Sequence, residues 1–322
     1  MSLKAISQTV VVPGSVANLG GGFDTLGVAV QLYLRARIVE VSEGGPGVLT
    51  VAKSVPPVRG QNALERGYAA VARRSGRRAP NVTVEVESDI PMGAGLGSSA
   101  AATVAGVRIF EQVTGSLSSE QLLGAAAEVE GHADNAAPSL FGGLTSVMER
   151  PGRDPIAMRW SWPAELRLVI ATPAIGLATA KARAALSETL PRRDAIFNLQ
   201  RVVALVHALQ SGDYAALREA VQDRWHQPAR ASLVPLLTEV LAIEDADVFA
   251  SFLSGAGPSV ALLANRNLDR VSELLKSMYE RAGVAATVRV LGVHSSPAAA
   301  ATVDPSSEVL AGTAAAAHGR TA

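Results

Sequence analysis

The sequence predicts an α+β protein built from two domains. Segments in which apolar and polar residues alternate, as in strands, are interleaved with helical segments up to about residue 150. Between residues 151 and 163 the chain becomes loop-like, and we place a domain boundary there. Beyond it, a strand–strand–helix–strand succession around a glycine-rich turn suits a small α+β sheet. We therefore expect a mixed α/β domain over residues 1–162 and an α+β domain over residues 163–294.

The elements of the first domain follow from periodicity and capping residues. Strands are predicted over residues 9–12, 28–41, 82–87 and 141–148. Helices are predicted over residues 62–75, 98–113 and 118–129, the last opened by a capping box of Ser118 and Gln121. Residues 42–60 are rich in glycine and proline and are predicted as a loop.

The second domain contains shorter segments. Strands are predicted over residues 167–172, 249–254, 259–264 and 286–293, with a helix over 268–281. Ile196, Leu199, Val203 and Val206 recur at helical spacing and mark a long helix. Residues 295–322 are rich in Ala, Ser, Thr and Pro. We expect part of this tail to add a short strand and its end to be disordered.

Composition excludes several classes of protein. The chain has 29 basic and 29 acidic residues and a net charge of zero, unlike a nucleic-acid-binding protein. The cluster Arg73, Arg74, Arg77 and Arg78 is interpreted as a solvated helix end. Without cysteine, neither disulfides nor thiolate metal sites can form. Residues 1–8 are not a secretory signal, and no stretch is apolar enough to span a bilayer. We therefore expect a cytoplasmic protein with neither nucleic acid nor membrane as a partner.

A glycine-rich loop between a predicted strand and a predicted helix is the most informative segment. Its glycines alternate, and two serines follow at the helix start, where free N–H groups and the helix dipole favour an anion. No lysine follows the last glycine, so it is not a Walker A loop, and its spacing differs from that of a dinucleotide-binding motif. We predict that it holds a triphosphate through residues Pro91, Met92, Gly93, Ala94, Gly95, Leu96, Gly97, Ser98 and Ser99.

Three further motifs carry polar side chains or glycines in loops. Residues 13–27 are glycine-rich and contain Asn18 and Asp24. Residues 130–138 place His132, Asp134 and Asn135 within four positions, after an acid, Glu130. Residues 254–259, with sequence Ser-Gly-Ala-Gly-Pro-Ser, offer backbone amides that could close over phosphates, Gly257 among them.

Together the four motifs resemble those of the GHMP kinases, which phosphorylate small molecules such as galactose, homoserine and mevalonate. The first and third motifs narrow the resemblance to the homoserine kinases, although Gly14 and Gly21 replace the more common Ala and Pro. The resemblance runs from about Val10 to Val293. It implies the two-domain GHMP kinase fold, with a mixed α/β nucleotide-binding domain followed by a ferredoxin-like α+β domain.

The resemblance also implies roles for individual residues. Ser99 and Glu130 would hold Mg²⁺, with Glu128 as the alternative acid. Asn18, Asp24, His132 and Asp134 would surround the substrate. Arg183 and Arg230 match arginines that grip the amino-acid carboxylate, which a planar guanidinium can bind through two hydrogen bonds. Asn62 matches a position near the adenine. Whether Asp134 removes the hydroxyl proton or only orients the hydroxyl stays open.

The activity implied is ATP- and Mg²⁺-dependent phosphorylation of L-homoserine, a step of threonine biosynthesis, and the resemblance suggests a homodimer. One alternative is a GHMP kinase for another small molecule, such as threonine, shikimate or an isoprenoid precursor. The other is a non-catalytic binding protein of the same fold. The presence of Ser99, Glu130 and Asp134 favours an enzyme over that second alternative.

Overall fold

The computed structural model describes residues 8–57 and 62–301. Its first part is a mixed sheet with four helices. The strands are β1 (Gln8–Ala17), β2 (Leu26–Ser42), β3 (Leu49–Val55), β4 (Asn81–Ser88), β5 (Leu144–Arg150) and β6 (Arg153–Trp160). The helices are α1 (Ala63–Ser75), α2 (Ser98–Thr114), α3 (Ser119–Glu130) and α4 (Ala136–Phe141).

The second part begins at β7 (Arg167–Pro173) and is richer in helices. These are α5 (Thr179–Ala184), α6 (Arg192–Ser211), a 3₁₀ turn (Tyr214–Ala216), α7 (Leu217–Ala220), α8 (His226–Arg230) and α9 (Leu237–Leu241). The remaining elements are β8 (Ala250–Leu253), β9 (Val260–Ala264), α10 (Leu268–Arg281), β10 (Ala286–Leu291) and β11 (Ala299–Ala301).

The first sheet is organised around the long strand β2. Its path runs β11-β1-β2-β4-β3, and the hairpin of β5 and β6 also pairs with β2 through β5. Pairing is antiparallel except between β3 and β4. Residues of β1 and β2 such as Val12, Val28 and Val30 are completely buried under the helices. The loops that leave β1 and β4 therefore emerge from a rigid sheet.

The second sheet has strand order β10-β7-β9-β8 and is antiparallel throughout. With the order of elements along the chain, this is the ferredoxin-like arrangement. Successive side chains of β7 enter different cores: Leu168 and Ile170 join the core of the first sheet, whereas Val169 and Ala171 pack among residues of α9 and α10. Since both faces are buried, the sheet fixes the loops at its ends relative to the first sheet. The α+β fold predicted from the sequence is confirmed.

Two regions predicted as loops contain strands. Residues 49–55 form β3, whose side chains are mostly exposed, so the period-two apolar signal is absent. Residues 153–160 form β6, which pairs only with β5 in the described part of the chain. A proline is tolerated in such an edge strand, and Pro155 made the segment resemble a loop. The predicted strand over 141–148 starts later, because Phe141 ends α4.

Side-chain capping explains where α1 and α3 begin. Asn62 and Glu65 form a capping box at α1, and Ser118 and Gln121 form one at α3, as predicted for the latter. The basic cluster lies at the end of α1: Arg73 and Arg74 pair with Glu128, while the guanidinium of Arg77 donates to the carbonyls of residues 114–116.

The long helix α6 is present, but three of the four apolar residues that predicted it lie on its outer side, and only Val206 packs against the core. Ile196, Leu199 and Val203 are 48%, 68% and 71% exposed, while the buried face holds Leu205, Ala208 and Leu209 among others.

After β10 the chain returns to the first sheet, where β11 pairs with β1. The rest of the predicted tail, residues 302–322, lies outside the described residues. No described helix combines the length and hydrophobicity needed to cross a bilayer.

Candidate active site

The loop between β4 and α2 presents free amide groups to a cleft between the two sheets. Its carbonyls are bonded from outside: those of Gly93, Ala94 and Gly95 accept hydrogen bonds from the second part of the chain, and that of Leu96 accepts one from the amide of Ser15. Within the described residues, no protein acceptor takes a hydrogen bond from the amides of residues 93–99. Since these amides open the N-terminus of α2, the arrangement suits an anion.

The three glycines of this loop all have positive φ, between +64° and +74°, but their surroundings differ. A Cβ on Gly95 would lie 2.3 Å from the carbonyl oxygen of Ser254, and one on Gly97 would lie 2.2 Å from Ser15 Oγ. A Cβ on Gly93 would have only Gly176 Cα, at 4.0 Å, nearby. Gly95 and Gly97 therefore permit close packing of neighbouring loops, whereas Gly93 borders open space in the cleft.

Ser99 and Glu130 meet beside this loop. Ser99 Oγ donates to Glu130 Oε1 at 2.9 Å, and Thr103 Oγ1 donates to the same oxygen at 2.6 Å. Thr103 lies one helical turn after Ser99 on α2, and it fixes the carboxylate of a residue at the end of α3. Glu128, by contrast, is bound on the surface by Arg73 and Arg74, which hold its pKa below the usual range.

A mainly apolar pocket adjoins the loop on the side of the first sheet. Its lining includes Ser98, which also lines the cleft, together with Asn62 and Met92. The Asn62 side-chain oxygen accepts from the amide of Glu65, so this oxygen caps α1. Val51 and Val55 of the unpredicted strand β3 form part of the wall. Because this pocket adjoins the loop, a ligand whose anionic part binds at the loop can place a flat or apolar group in the pocket.

His132 and Asp134 form a hydrogen-bonded pair on the cleft wall. His132 Nδ1 lies 2.6 Å from Asp134 Oδ1, which also accepts from the amide of Asn135. In the described residues Asp134 Oδ2 has no hydrogen-bond partner, although the residue is only 2% exposed. Burial lowers the pKa of His132, but the hydrogen bond to Asp134 and its negative charge together raise that pKa above 6.5.

Asp24 and Arg183 form a two-point ion pair across the cleft. Arg183 Nη1 and Nη2 donate to the two carboxylate oxygens of Asp24 at 2.9 and 2.6 Å. The hydrogen bond to Asp24 raises the pKa of Arg183. The resemblance assigned these residues to opposite ends of a substrate, whereas here they bind each other.

Arg230 lies deeper, on α8, and is 1% exposed. Burial and the neighbouring charge of Arg183 lower its pKa to about 10, so the guanidinium is still a cation at neutral pH. Both arginines lie near the ring of Phe23, whose centroid is 5.4 Å from Arg183 Cζ and 5.3 Å from Arg230 Cζ. This cationic wall of two arginines lines the same cleft as Asp24 and Asp134.

Asn18 links the first and fourth motifs. Its Nδ2 donates to the carbonyl of Gly255 at 2.9 Å, and its Oδ1 accepts from the amide of Asp24 at 3.0 Å. Both polar atoms therefore organise loops at the edge of the cleft. In the fourth motif Gly255 and Ala256 line the cleft, whereas the predicted Gly257 packs against Val234 and Leu253.

The structure thus brings most of the predicted residues together. Pro91 and Leu96 do not line the cleft, and the Leu96 side chain is buried in the core. Thr103, Phe23, Gly255 and the wall of β3 were not predicted. Phe23 could have been identified from its place between Asn18 and Asp24, whereas the contact of Thr103 with Glu130 required the packing of α2 on α3.

Comparison with known proteins gives a consistent result. Residues 62–143 match the GHMP kinases N terminal domain and residues 205–285 match the GHMP kinases C terminal domain. A homoserine kinase of Solibacter usitatus is 37% identical over 84% of this chain and 90% of its own. One of Thermus thermophilus is 38% identical over 88% of this chain and 94% of its own. The crystal structure of homoserine kinase from Cytophaga hutchinsonii has a TM-score of 0.80 at 27% identity, covering 94% of this chain and 99% of that one.

Proposed function

This chain belongs to the homoserine kinases of the GHMP kinase family, and we propose that it transfers the terminal phosphoryl group of ATP to the side-chain hydroxyl of L-homoserine. The product is O-phospho-L-homoserine, and the reaction is a step of threonine biosynthesis. Since it consumes ATP, we assign the protein to the cytoplasm. A homodimer stays a prediction.

One observation carries the proposal: the loop of free amides at the start of α2 opens into the same cleft as a cationic wall of two arginines. Phosphoryl transfer requires positioning and charge neutralisation rather than covalent chemistry by the protein. The amides of residues 93–99 suit the phosphates, and the adjoining pocket with Asn62 and Met92 suits the adenine. The substrate then lies between the phosphates and the arginines.

The residues beside the loop fit a magnesium ion. Mg²⁺ in such sites is bound through one or two protein oxygens, substrate phosphates and water, so a cluster of several carboxylates is not required. Ser99 Oγ and Glu130 Oε1 lie 2.9 Å apart at the edge of the anion site and would be its protein ligands. When bound, the ion would neutralise charge on the phosphates. Thr103 holds the Glu130 carboxylate in place.

The charges in the cleft match a zwitterion better than a neutral alcohol. Asp24 is the partner for an ammonium group, and Arg183 and Arg230 are the partners for a carboxylate. Mevalonate and shikimate have a carboxylate but no ammonium, so they would leave Asp24 without a cationic partner from the ligand. This difference supports an amino acid such as homoserine over mevalonate and shikimate.

We propose that Asp134 receives or orients the hydroxyl proton. Asp134 lines the cleft, its Oδ1 is occupied by His132 and by the amide of Asn135, and its Oδ2 has no described protein partner. We propose that Oδ2 accepts the hydrogen of the substrate hydroxyl, while His132 fixes the plane of the carboxylate. Either role requires that Oδ2 lie within hydrogen-bond distance of the substrate hydroxyl.

Steady-state kinetics test the proposal. The rate of ADP formation should depend on L-homoserine and on Mg²⁺, with saturation in both ATP and L-homoserine. Replacing Mg²⁺ by a chelator should abolish turnover. ADP formation that is unaffected by L-homoserine would contradict the assignment.

A further inference from the structure

The buried guanidinium of Arg230 is held by three protein acceptors. Its Nε donates to the carbonyl of Ala182 at 3.2 Å, and its Nη1 donates to the carbonyl of Gly255 at 3.2 Å and to His226 Nδ1 at 3.1 Å. In the described part of the chain its Nη2 has no protein acceptor. Since Arg230 lines the cleft, both Nη2 hydrogens are left for a ligand.

The hydrogen bonds define the protonation of His226. A guanidinium can only donate, so His226 Nδ1 must be the acceptor and carry no proton. The proton is therefore on Nε2, which lies 2.7 Å from the carbonyl oxygen of Gly20 and donates to it. His226 is completely buried, and burial lowers its pKa even though Asp223 lies 3.6 Å from Nε2. The charged groups around the ring are Asp223, Arg230 and Asp24.

Buried hydrogen bonds and a ring contact hold the His226 side chain in one orientation. It lies four residues before Arg230 on α8, on the same side of the helix. The buried carboxylate of Asp223 accepts from the amides of Trp225 and Gln227 and from Asn198 Nδ2, at 2.6 to 2.9 Å. Phe23 stacks on the His226 ring with centroids 5.3 Å apart. The ring therefore joins α8 to the loop that carries Asn18 and Asp24.

We infer that neutral His226 is a positioning residue, which orients Arg230 towards the substrate carboxylate and fixes it relative to the loop of Asp24. The inference rests on the proposed function, since it assumes that Arg230 binds a carboxylate. His226 is completely buried and is not among the residues that line the cleft. Its loss should weaken the binding of homoserine while leaving ATP binding and the phosphoryl transfer step largely intact.

Two substitutions separate the two hydrogen bonds of His226. In His226→Asn the side-chain amide lies near the former Nδ1, so an acceptor for Arg230 can persist. In His226→Gln it lies near the former Nε2, so only the bond to Gly20 can persist. We expect His226→Gln to raise the KM for L-homoserine about tenfold, with kcat and the KM for ATP within about twofold. His226→Asn should raise the KM for homoserine less, and exposed His207→Gln should have no effect.

A double-mutant cycle shows whether His226 acts through Arg230. If it does, His226→Gln added to Arg230→Ala should not raise the KM for homoserine further. Additive effects, or equal losses in the Asn and Gln variants, would overturn the inference.

The wild-type protein supplies a test that does not require the variants to fold. In ¹⁵N NMR spectra of histidine-labelled protein at neutral pH, His226 should show an unprotonated Nδ1 and a protonated Nε2. A proton on Nδ1 would overturn the inference. Failure of the wild-type protein to phosphorylate homoserine would contradict the proposed function instead, and the NMR result would still decide whether His226 accepts from Arg230.

Discussion

Arg183 and Asp24 neutralise each other across the ligand-free cleft through two hydrogen bonds of 2.9 and 2.6 Å. This pair joins α5 to the loop that follows β1. A zwitterionic substrate carries a partner for each of the two groups, so we expect its binding to exchange one ion pair for two. A ligand with only one charge would leave either Arg183 or Asp24 without a new partner, so we expect the site to select amino acids.

The two arginines should contribute unequally to substrate binding. We expect Arg230→Ala to raise the KM for L-homoserine by roughly thirtyfold or more, because leaving a buried charge unpaired costs about 2–5 kcal/mol. Arg183→Ala should have a smaller effect, since its side chain is 36% exposed and solvent screens the loss. The KM for ATP should change little in both variants.

The matched control is Arg224→Ala. Arg224 belongs to the same segment as Arg230, but its side chain is 49% exposed and pairs with Asp194. Its substitution should leave both KM values unchanged. An unchanged KM for homoserine in a folded Arg230→Ala protein would show that Arg230 does not bind the carboxylate.

Glu130→Gln should reduce turnover by at least about a hundredfold, since charge stabilisation in phosphoryl transfer is worth roughly 3–4 kcal/mol. The change keeps the shape of the side chain but removes the charge that Ser99 and Thr103 hold beside the anion site. The dependence of kcat on Mg²⁺ concentration should shift to higher concentration. Glu128→Gln is the control and should keep normal turnover, because Glu128 lies on the surface with Arg73 and Arg74. Comparable losses of turnover in both variants would contradict the role assigned to Glu130.

Among the loop glycines, Gly93→Ala gives the cleanest test of phosphate binding. The new methyl group would enter the open cleft, and we expect the KM for ATP to rise while the KM for homoserine stays nearly constant. Positive φ at residue 93 adds about 1–3 kcal/mol of backbone strain. Gly76→Ala has a similar φ of +65° and open surroundings away from the cleft, so it is the control for strain. Gly97→Val is less informative, since its side chain would first collide with Ser15. Equal ATP affinity in the Gly93→Ala and wild-type proteins would argue against the loop as the phosphate-binding site.

The His132–Asp134 pair predicts a pH dependence of stability. The folded-state pKa of His132 is raised above 6.5, so the protonated pair stabilises the folded state fully below about pH 6.5. This contribution is lost as pH rises through the folded-state pKa. The difference in free energy of unfolding between wild type and His132→Gln should therefore be larger near pH 5.5 than near pH 8.5 in urea titrations. A difference that grows with pH would show that the pair is not ionic.

Local sequence signals predicted most of the fold. Alternation identified β2 and β4, and the capping box of Ser118 and Gln121 located the start of α3. The strands that were missed, β3 and β6, are mostly exposed or lie at an edge of the sheet, so their stability comes from pairing with a neighbour and not from a periodic apolar pattern.

The site was predicted as a set of residues but not as a set of contacts. Motif resemblance identified Ser99, Glu130 and Asp134, which do line one cleft. The sequence could not show that Arg183 binds Asp24, because these residues are 159 positions apart and meet only through packing of the second sheet on the first. The support of Arg230 by His226 depends likewise on a ring orientation that no motif encodes.

The most direct test of the central claim is a competition experiment with the wild-type protein. ATP and Mg²⁺ are supplied with an equimolar mixture of L-homoserine, homoserine lactone, L-threonine, mevalonate and shikimate, and the products are identified by mass spectrometry and ³¹P NMR. We predict that O-phospho-L-homoserine is the dominant product, with phosphorus coupled to the side-chain methylene, and that the lactone, which lacks a free carboxylate, is a poor substrate. Phosphorylation of mevalonate or shikimate as fast as that of homoserine would contradict the account.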